Sequence, residues 1–203
     1  MTKIKFCGLS RLCDIEAVNI LRPEYIGFIF ASKSRRYISP ESALKLKSRL
    51  SPEIKSVGVF VNESLEKISE ISSADIIDII QLHGSESEDY IQRLKDLTGK
   101  LIIKSFIIES EKILNLAEKC RADYVLLDSG AGTGKIFNWE IIKNFPREFF
   151  LAGGLTPENV CDAVKYLEPF AVDVSSGIES DGAKDKNKMA AFISAVRKEE
   201  KFS

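Results

Sequence analysis

Eight short runs of β-forming residues recur along the chain at intervals of 20 to 30 residues, and that rhythm constrains its fold more than any other feature. They cover residues 4–7, 25–30, 55–61, 77–82, 101–107, 124–128, 149–152 and 171–174. Most are continuously apolar instead of alternating, as parallel strands covered on both faces must be. Helical patterns lie between them. Met189, Phe192, Ile193 and Val196 fall at i, i+3, i+4, i+7, and Val160, Ala163, Val164 and Leu167 repeat the spacing, each set forming one apolar stripe. Start signals agree: Ser39-Pro40-Glu41 and Thr156-Pro157-Glu158 each read as an N-cap followed by proline, and Ser85-Glu86-Ser87-Glu88 reads as a capping box.

Eight strand–helix units in 203 residues, with no linker-like stretch, predict one domain over residues 1–203. Its class is α/β, either a closed (β/α)8 (TIM) barrel or a doubly wound open sheet, and the unit count favours the barrel.

Composition narrows the partners. Lys plus Arg total 29 against 30 Asp plus Glu, so no basic field draws in nucleic acid or anionic lipid, and an anionic ligand must be gripped locally. No apolar run approaches the roughly 20 residues that span a bilayer, and the N-terminus does not read as a signal peptide, so a cytoplasmic location is expected. Cys7, Cys13, Cys120 and Cys161 form no CxxC pair and the only histidine is His83. Neither a zinc set nor a disulfide framework follows, and the cysteines read as reduced thiols.

In both candidate architectures ligands bind beyond the carboxyl ends of the strands. Gly153-Gly154 follows the seventh run and Ser175-Ser176-Gly177 the eighth, adjacent loops of the kind that bind phosphate through backbone N–H groups. The stretch Gly130-Ala131-Gly132-Thr133-Gly134-Lys135 fails the P-loop pattern, which needs Gly at Ser129 and Ser or Thr at Ile136, and reads better as a flexible segment able to fold over a substrate. Cys7 closes the first run; a cysteine there is commonly an inert small hydrophobe, yet a strand mouth with Arg36 nearby would favour its thiolate. Asp128 ends the run Tyr124-Val125-Leu126-Leu127, where desolvation favours a protonated acid, though an Asp capping the next loop fits equally. Asp173 serves as a support or a second polar site residue, and His83 as a structural or substrate-contacting donor. Arg36, beside Arg35 and Lys33, reads as a solvated charge run or as a carboxylate anchor.

Taken in order, Lys5-Phe6-Cys7-Gly8-Leu9-Ser10, Gly27-Phe28-Ile29-Phe30 with Ser34-Arg35-Arg36-Tyr37-Ile38-Ser39, Val57-Gly58-Val59-Phe60-Val61-Asn62 and Gln81-Leu82-His83-Gly84 resemble the phosphoribosylanthranilate isomerase family. The resemblance continues through Leu127-Asp128, Gly132-Thr133-Gly134-Lys135 with Phe137-Asn138-Trp139, Leu151-Ala152-Gly153-Gly154-Leu155, and Asp173-Val174-Ser175-Ser176-Gly177-Ile178-Glu179 with Gly182-Ala183-Lys184-Asp185. It implies a (β/α)8 barrel that performs an Amadori rearrangement of a phosphorylated aminosugar without cofactor or metal, acting on a small molecule as a monomer or homodimer. By the same resemblance Cys7 is the general base and Asp128 the general acid, Arg36 holds the anthranilate carboxylate, Gly154, Ser176 and Gly177 hold phosphate, and His83 and Asp173 line the pocket. The chain departs from the family at Arg35, where proline is frequent, at Ala131, where glycine is common, and in a short segment from Asp128 to Gly132. Competing readings are the histidine-pathway Amadori barrel, which uses an Asp base at the first strand, and a catalytically silent phosphate-binding barrel. Indoleglycerol-phosphate synthase would need catalytic lysines and a longer N-terminal extension, and neither is visible.

Overall fold

Each of the eight runs forms a strand: β1 (Lys3–Cys7), β2 (Tyr25–Ile29), β3 (Lys55–Phe60), β4 (Ile79–Leu82), β5 (Leu101–Ile107), β6 (Tyr124–Asp128), β7 (Phe149–Ala152) and β8 (Ala171–Val174). All neighbouring pairs are parallel, and β1 pairs with β8 as well as β2, so the sheet closes into a barrel. The structure, a computed structural model, describes residues 1–130 and 139–198. The glycine cluster read as a mobile segment, from Ala131 onward, lies outside the described residues.

Helices α1 (Leu12–Leu21), α2 (Pro40–Lys47), α3 (Leu65–Ser73), α4 (Glu88–Thr98), α5 (Glu111–Lys119), α6 (Val160–Leu167) and α7 (Lys186–Arg197) surround the strands. Between β6 and β7 the described helical element is a 3₁₀ turn, Trp139–Ile142. Two start signals sit differently from the sequence reading. Ser87, not Ser85, caps α4 by accepting from Tyr90 N–H, because Ser85 is held instead by Asn62 Oδ1, to which its N–H and hydroxyl both donate. The helix expected at Pro157 begins at Val160, because the Asn159 side chain first closes a turn on Thr156 N–H and the Gly154 carbonyl. The fourth run enters its strand two residues late, since Asp78 is held beside β3 by Ser56 N–H and the Ser56 hydroxyl.

Strand alternation sorts every side chain by destination. Ile4, Phe6, Ile80, Leu82, Val125, Leu127, Val172 and Val174 face out into the apolar layer under the helices. Tyr25, Val57, Ile79, Ile103, Leu126, Phe150, Ala152 and Ala171 face in and fill the barrel. The amino end of the barrel is plugged by rings, with Tyr124 stacked on Phe170 at 4.8 Å and Lys3 Nζ 4.2 Å above the Phe170 ring. Polar inward positions therefore collect at the other end. Lys5 and Cys7, Gln81 and His83, and Asp128 and Asp173 all share the inward parity.

Candidate active site

At the carboxyl ends of the strands the barrel opens into a cavity of about 460 Å³. Cys7, Arg36, His83, Asp128, Gly154, Asp173 and Ser176 all line it, whereas Gly177, the third residue expected to hold phosphate, is not part of its lining.

Cys7 is 7% exposed at the end of β1. Two residues earlier on the same face, Lys5 is fully buried and its ammonium lies 3.0 and 3.1 Å from the two carboxylate oxygens of Asp173. Burial pushes the Cys7 thiol above its ordinary value; Lys5 and Lys184 pull it back and Asp173 opposes them. The electropositive surroundings expected from Arg36 thus come chiefly from two lysines the sequence reading passed over.

Asp128 is half-buried and accepts from Gly130 N–H at 2.9 Å, with its other oxygen 3.6 Å from His83 Nε2. The bond from Gly130 N–H is the loop-capping contact that the position of Asp128 at the end of its run allows. Burial pushes His83 below its ordinary value, against the pull of Asp128 and Asp173, so the ring is neutral near pH 7. Gln81 Nε2 lies 3.4 Å from His83 Nδ1 and donates to Ser105 Oγ.

Arg36 is neither a free surface charge nor an unoccupied fork. Its Nε and Nη2 donate to the two oxygens of Glu179 at 2.6 and 2.9 Å. Arg35 and Lys184 also donate to Glu179, at 2.9 and 2.7 Å. Burial alone would push the Glu179 carboxyl up, but the hydrogen bonds and charges of Arg36 and Lys184 outweigh it and hold it at about 2. Among the described residues Nη1 of Arg36 has no acceptor, which leaves one edge of the guanidinium for the cavity.

The glycine loops fit together closely. A Cβ on Gly177 would overlap the Leu155 carbonyl, so only glycine lets the loop after β8 lie against the loop after β7. Ser176–Ile178 is a single 3₁₀ turn, whose leading N–H groups have no acceptor within it. Among the described residues no group of three or more His, Cys, Asp or Glu is arranged to hold a metal ion. No described helix is long and apolar enough to cross a membrane.

Eight parallel strands closed on themselves, with polar inward side chains gathered at their carboxyl ends, define a (β/α)8-barrel enzyme scaffold with its site at that mouth. A model of the N-(5′phosphoribosyl)anthranilate (PRA) isomerase family matches residues 4–195. The chain belongs to this family of isomerases of tryptophan biosynthesis. The N-(5′-phosphoribosyl)anthranilate isomerase of Endomicrobium trichonymphae is 44% identical over 202 residues, spanning 97% of this chain and 99% of its own. That of Caldanaerobacter subterraneus is 45% identical over 204 residues, spanning 97% and 98%. The crystal structure of phosphoribosyl anthranilate isomerase from Thermotoga maritima superposes with a TM-score of 0.90 at 37% identity, covering 98% of this chain and 100% of the other. A phosphoribosyl anthranilate isomerase in complex with reduced 1-(o-carboxyphenylamino)-1-deoxyribulose 5-phosphate gives 0.88 at 36% identity, with coverage of 98% and 100%.

Proposed function

We propose that the cavity converts N-(5′-phosphoribosyl)anthranilate to 1-(2-carboxyphenylamino)-1-deoxyribulose 5-phosphate, with Asp128 as general acid, Cys7 as general base and no cofactor. Asp128 gives its proton to the ribose ring oxygen, the ring C–O bond breaks, and the nitrogen lone pair forms the Schiff base. The Cys7 thiolate then removes the C2′ proton, and the electrons of that C–H bond flow to the iminium nitrogen to give the enolamine. Tautomerisation returns a proton to C1′ and leaves the ketone. Gly154, Ser176 and Gly177 receive the phosphate, Arg36 offers Nη1 to the anthranilate carboxylate, and His83 and Asp173 face the sugar.

One observation carries this reading: a thiol on β1 and a carboxyl on β6 border a single cavity whose rim holds the paired glycine loops. Anthranilate fluorescence, which falls as the substrate is consumed, supplies the assay. Cys7→Ala and Asp128→Asn are expected to fold and bind product, yet to lose about 10²- to 10⁴-fold in turnover each. Full activity in either variant rejects the role assigned to that residue.

A further inference from the structure

Lys5 is an unusual place to keep a charge: fully buried, in the middle of an apolar strand, with its ammonium inside the barrel. Gly27, the neighbour of Cys7 across the β1–β2 pairing, shows why it fits there. A Cβ at Gly27 would stand 2.8 Å from Cys7 Sγ and 3.2 Å from Lys5 Nζ, so the two atoms converge on the one spot that a glycine leaves open. Asp173 lies directly across the β1–β8 pairing from Lys5 and binds its ammonium through both oxygens.

We propose that Lys5 is a positioning residue for the reaction, its ammonium holding the Cys7 thiolate from beneath while Asp173 fixes the ammonium in place. The proposal rests on the reading of Cys7 as base. A buried thiol that must lose its proton needs a nearby positive charge, and an opposite charge within about 4–6 Å favours the ionised form. Four charged groups face the sulfur: Lys5 from its own strand, Asp173 from β8, Arg36 from the loop after β2, and Lys184 from the segment after β8. Arg36 and Lys184 are both bound to Glu179, whereas Lys5 shares its charge only between Asp173 and the sulfur among these groups. Lys5 also exerts the largest of the downward pulls on the thiol, and Asp173 offsets part of it. Burial would push Lys5 itself down, but Asp173 and Cys7 hold it above its ordinary value, which favours the ammonium form.

The test uses the full chain with Cys13, Cys120 and Cys161 replaced, so that the ultraviolet absorbance of the thiolate reports Cys7 alone. Lys5→Met is expected to move the midpoint of Cys7 ionisation up by about one pH unit or more, and Asp173→Asn to move it down. Because Lys5→Met strands a buried carboxylate, Lys5→Met/Asp173→Asn is titrated beside it and is also expected to ionise above the parent. The acid limb of kcat/KM in Lys5→Met should rise with the thiol midpoint, a displacement that simple loss of packing would not give. An unmoved midpoint in the folded double variant, or an upward shift in Asp173→Asn, overturns the proposal. The titration needs no turnover: an active Cys7→Ala sinks the base assignment, while an inert Cys7→Ala with an unmoved midpoint sinks Lys5 alone.

Discussion

Arg36 shows how much a single side chain depends on a partner that the primary structure places far away. Its fork is held by Glu179, 143 residues on, so the guanidinium is oriented before any ligand arrives. The Glu179 carboxyl sits at about 2 against an ordinary 4.5. Its folded-state value is depressed, so the stabilisation is complete above pH 4.5 and drains away as the pH falls toward 2. Glu179→Gln should therefore unfold at lower urea than the parent at pH 6, with the gap narrowing at pH values near 3, in chemical denaturation followed across that range. A gap that widens in acid would contradict the ion network. Cys7, Asp128 and Asp173 were legible because each interrupts or ends an apolar run, and His83 because it immediately follows one. Lys5 and Gln81 carry the same signal, a polar residue at inward parity within an apolar run, but what Lys5 meets is set by its pairing with β8 and by Gly27 on β2, which the sequence does not show. Glu179 and Lys184 were legible only in part. Asp181-Gly182 between them is the two-residue signature of a type I′ hairpin, and both residues adopt positive φ, 51° and 78°. That signature predicts the hairpin; nothing in it predicts that the hairpin clamps an arginine from the loop after β2.

Among the elements, strands were read more accurately than helix starts, and the reason is physical. A buried parallel strand is fixed by its own apolar run, whereas a cap is fixed by which of several polar side chains wins a nearby N–H. At Ser39 the competing groups, Glu41 and the Ser42 hydroxyl, are local, and the Ser39 hydroxyl accepts from Ser42 N–H as the Ser-Pro-Glu pattern predicts. At Ser85-Glu86-Ser87-Glu88 there are several, and long-range bonds decide: Glu86 serves the β3 and β4 loops, Ser85 binds Asn62, and Ser87 is left to cap α4. Ser87→Ala should accordingly cost about 1 kcal/mol of stability. Ser85→Ala, which loses only an exposed hydroxyl contact to Asn62, should cost visibly less. Urea midpoints of the two variants, measured side by side, decide the matter, and equal or reversed losses would restore the capping box at Ser85.

For the molecule as a whole, the closed ring makes the two ends of the chain interdependent. β1 cannot complete its pairing until β8 arrives, and α7 covers that seam with Phe192 set edge-on against Phe6, ring centroids 6.0 Å apart. Arg197 extends the same seam, donating to the Thr2 carbonyl and to Glu24, whose carboxylate in turn takes Ile4 N–H. The amphipathic spacing of α7 is plain in the sequence; periodicity alone fits an open sheet equally well, so closure is read from the count of eight units and from the family resemblance. Phe192 is fully buried, so Phe192→Ala should cost about 3–5 kcal/mol. If closure couples the ring, that loss must be felt at Trp139, the only tryptophan, in the turn between β6 and β7 and away from the seam. The urea midpoints from Trp139 fluorescence and from far-ultraviolet circular dichroism should fall together by the same amount. A dichroism transition that moves while the Trp139 transition stays put would mean that the seam opens by itself and that the barrel's halves hold their structure independently.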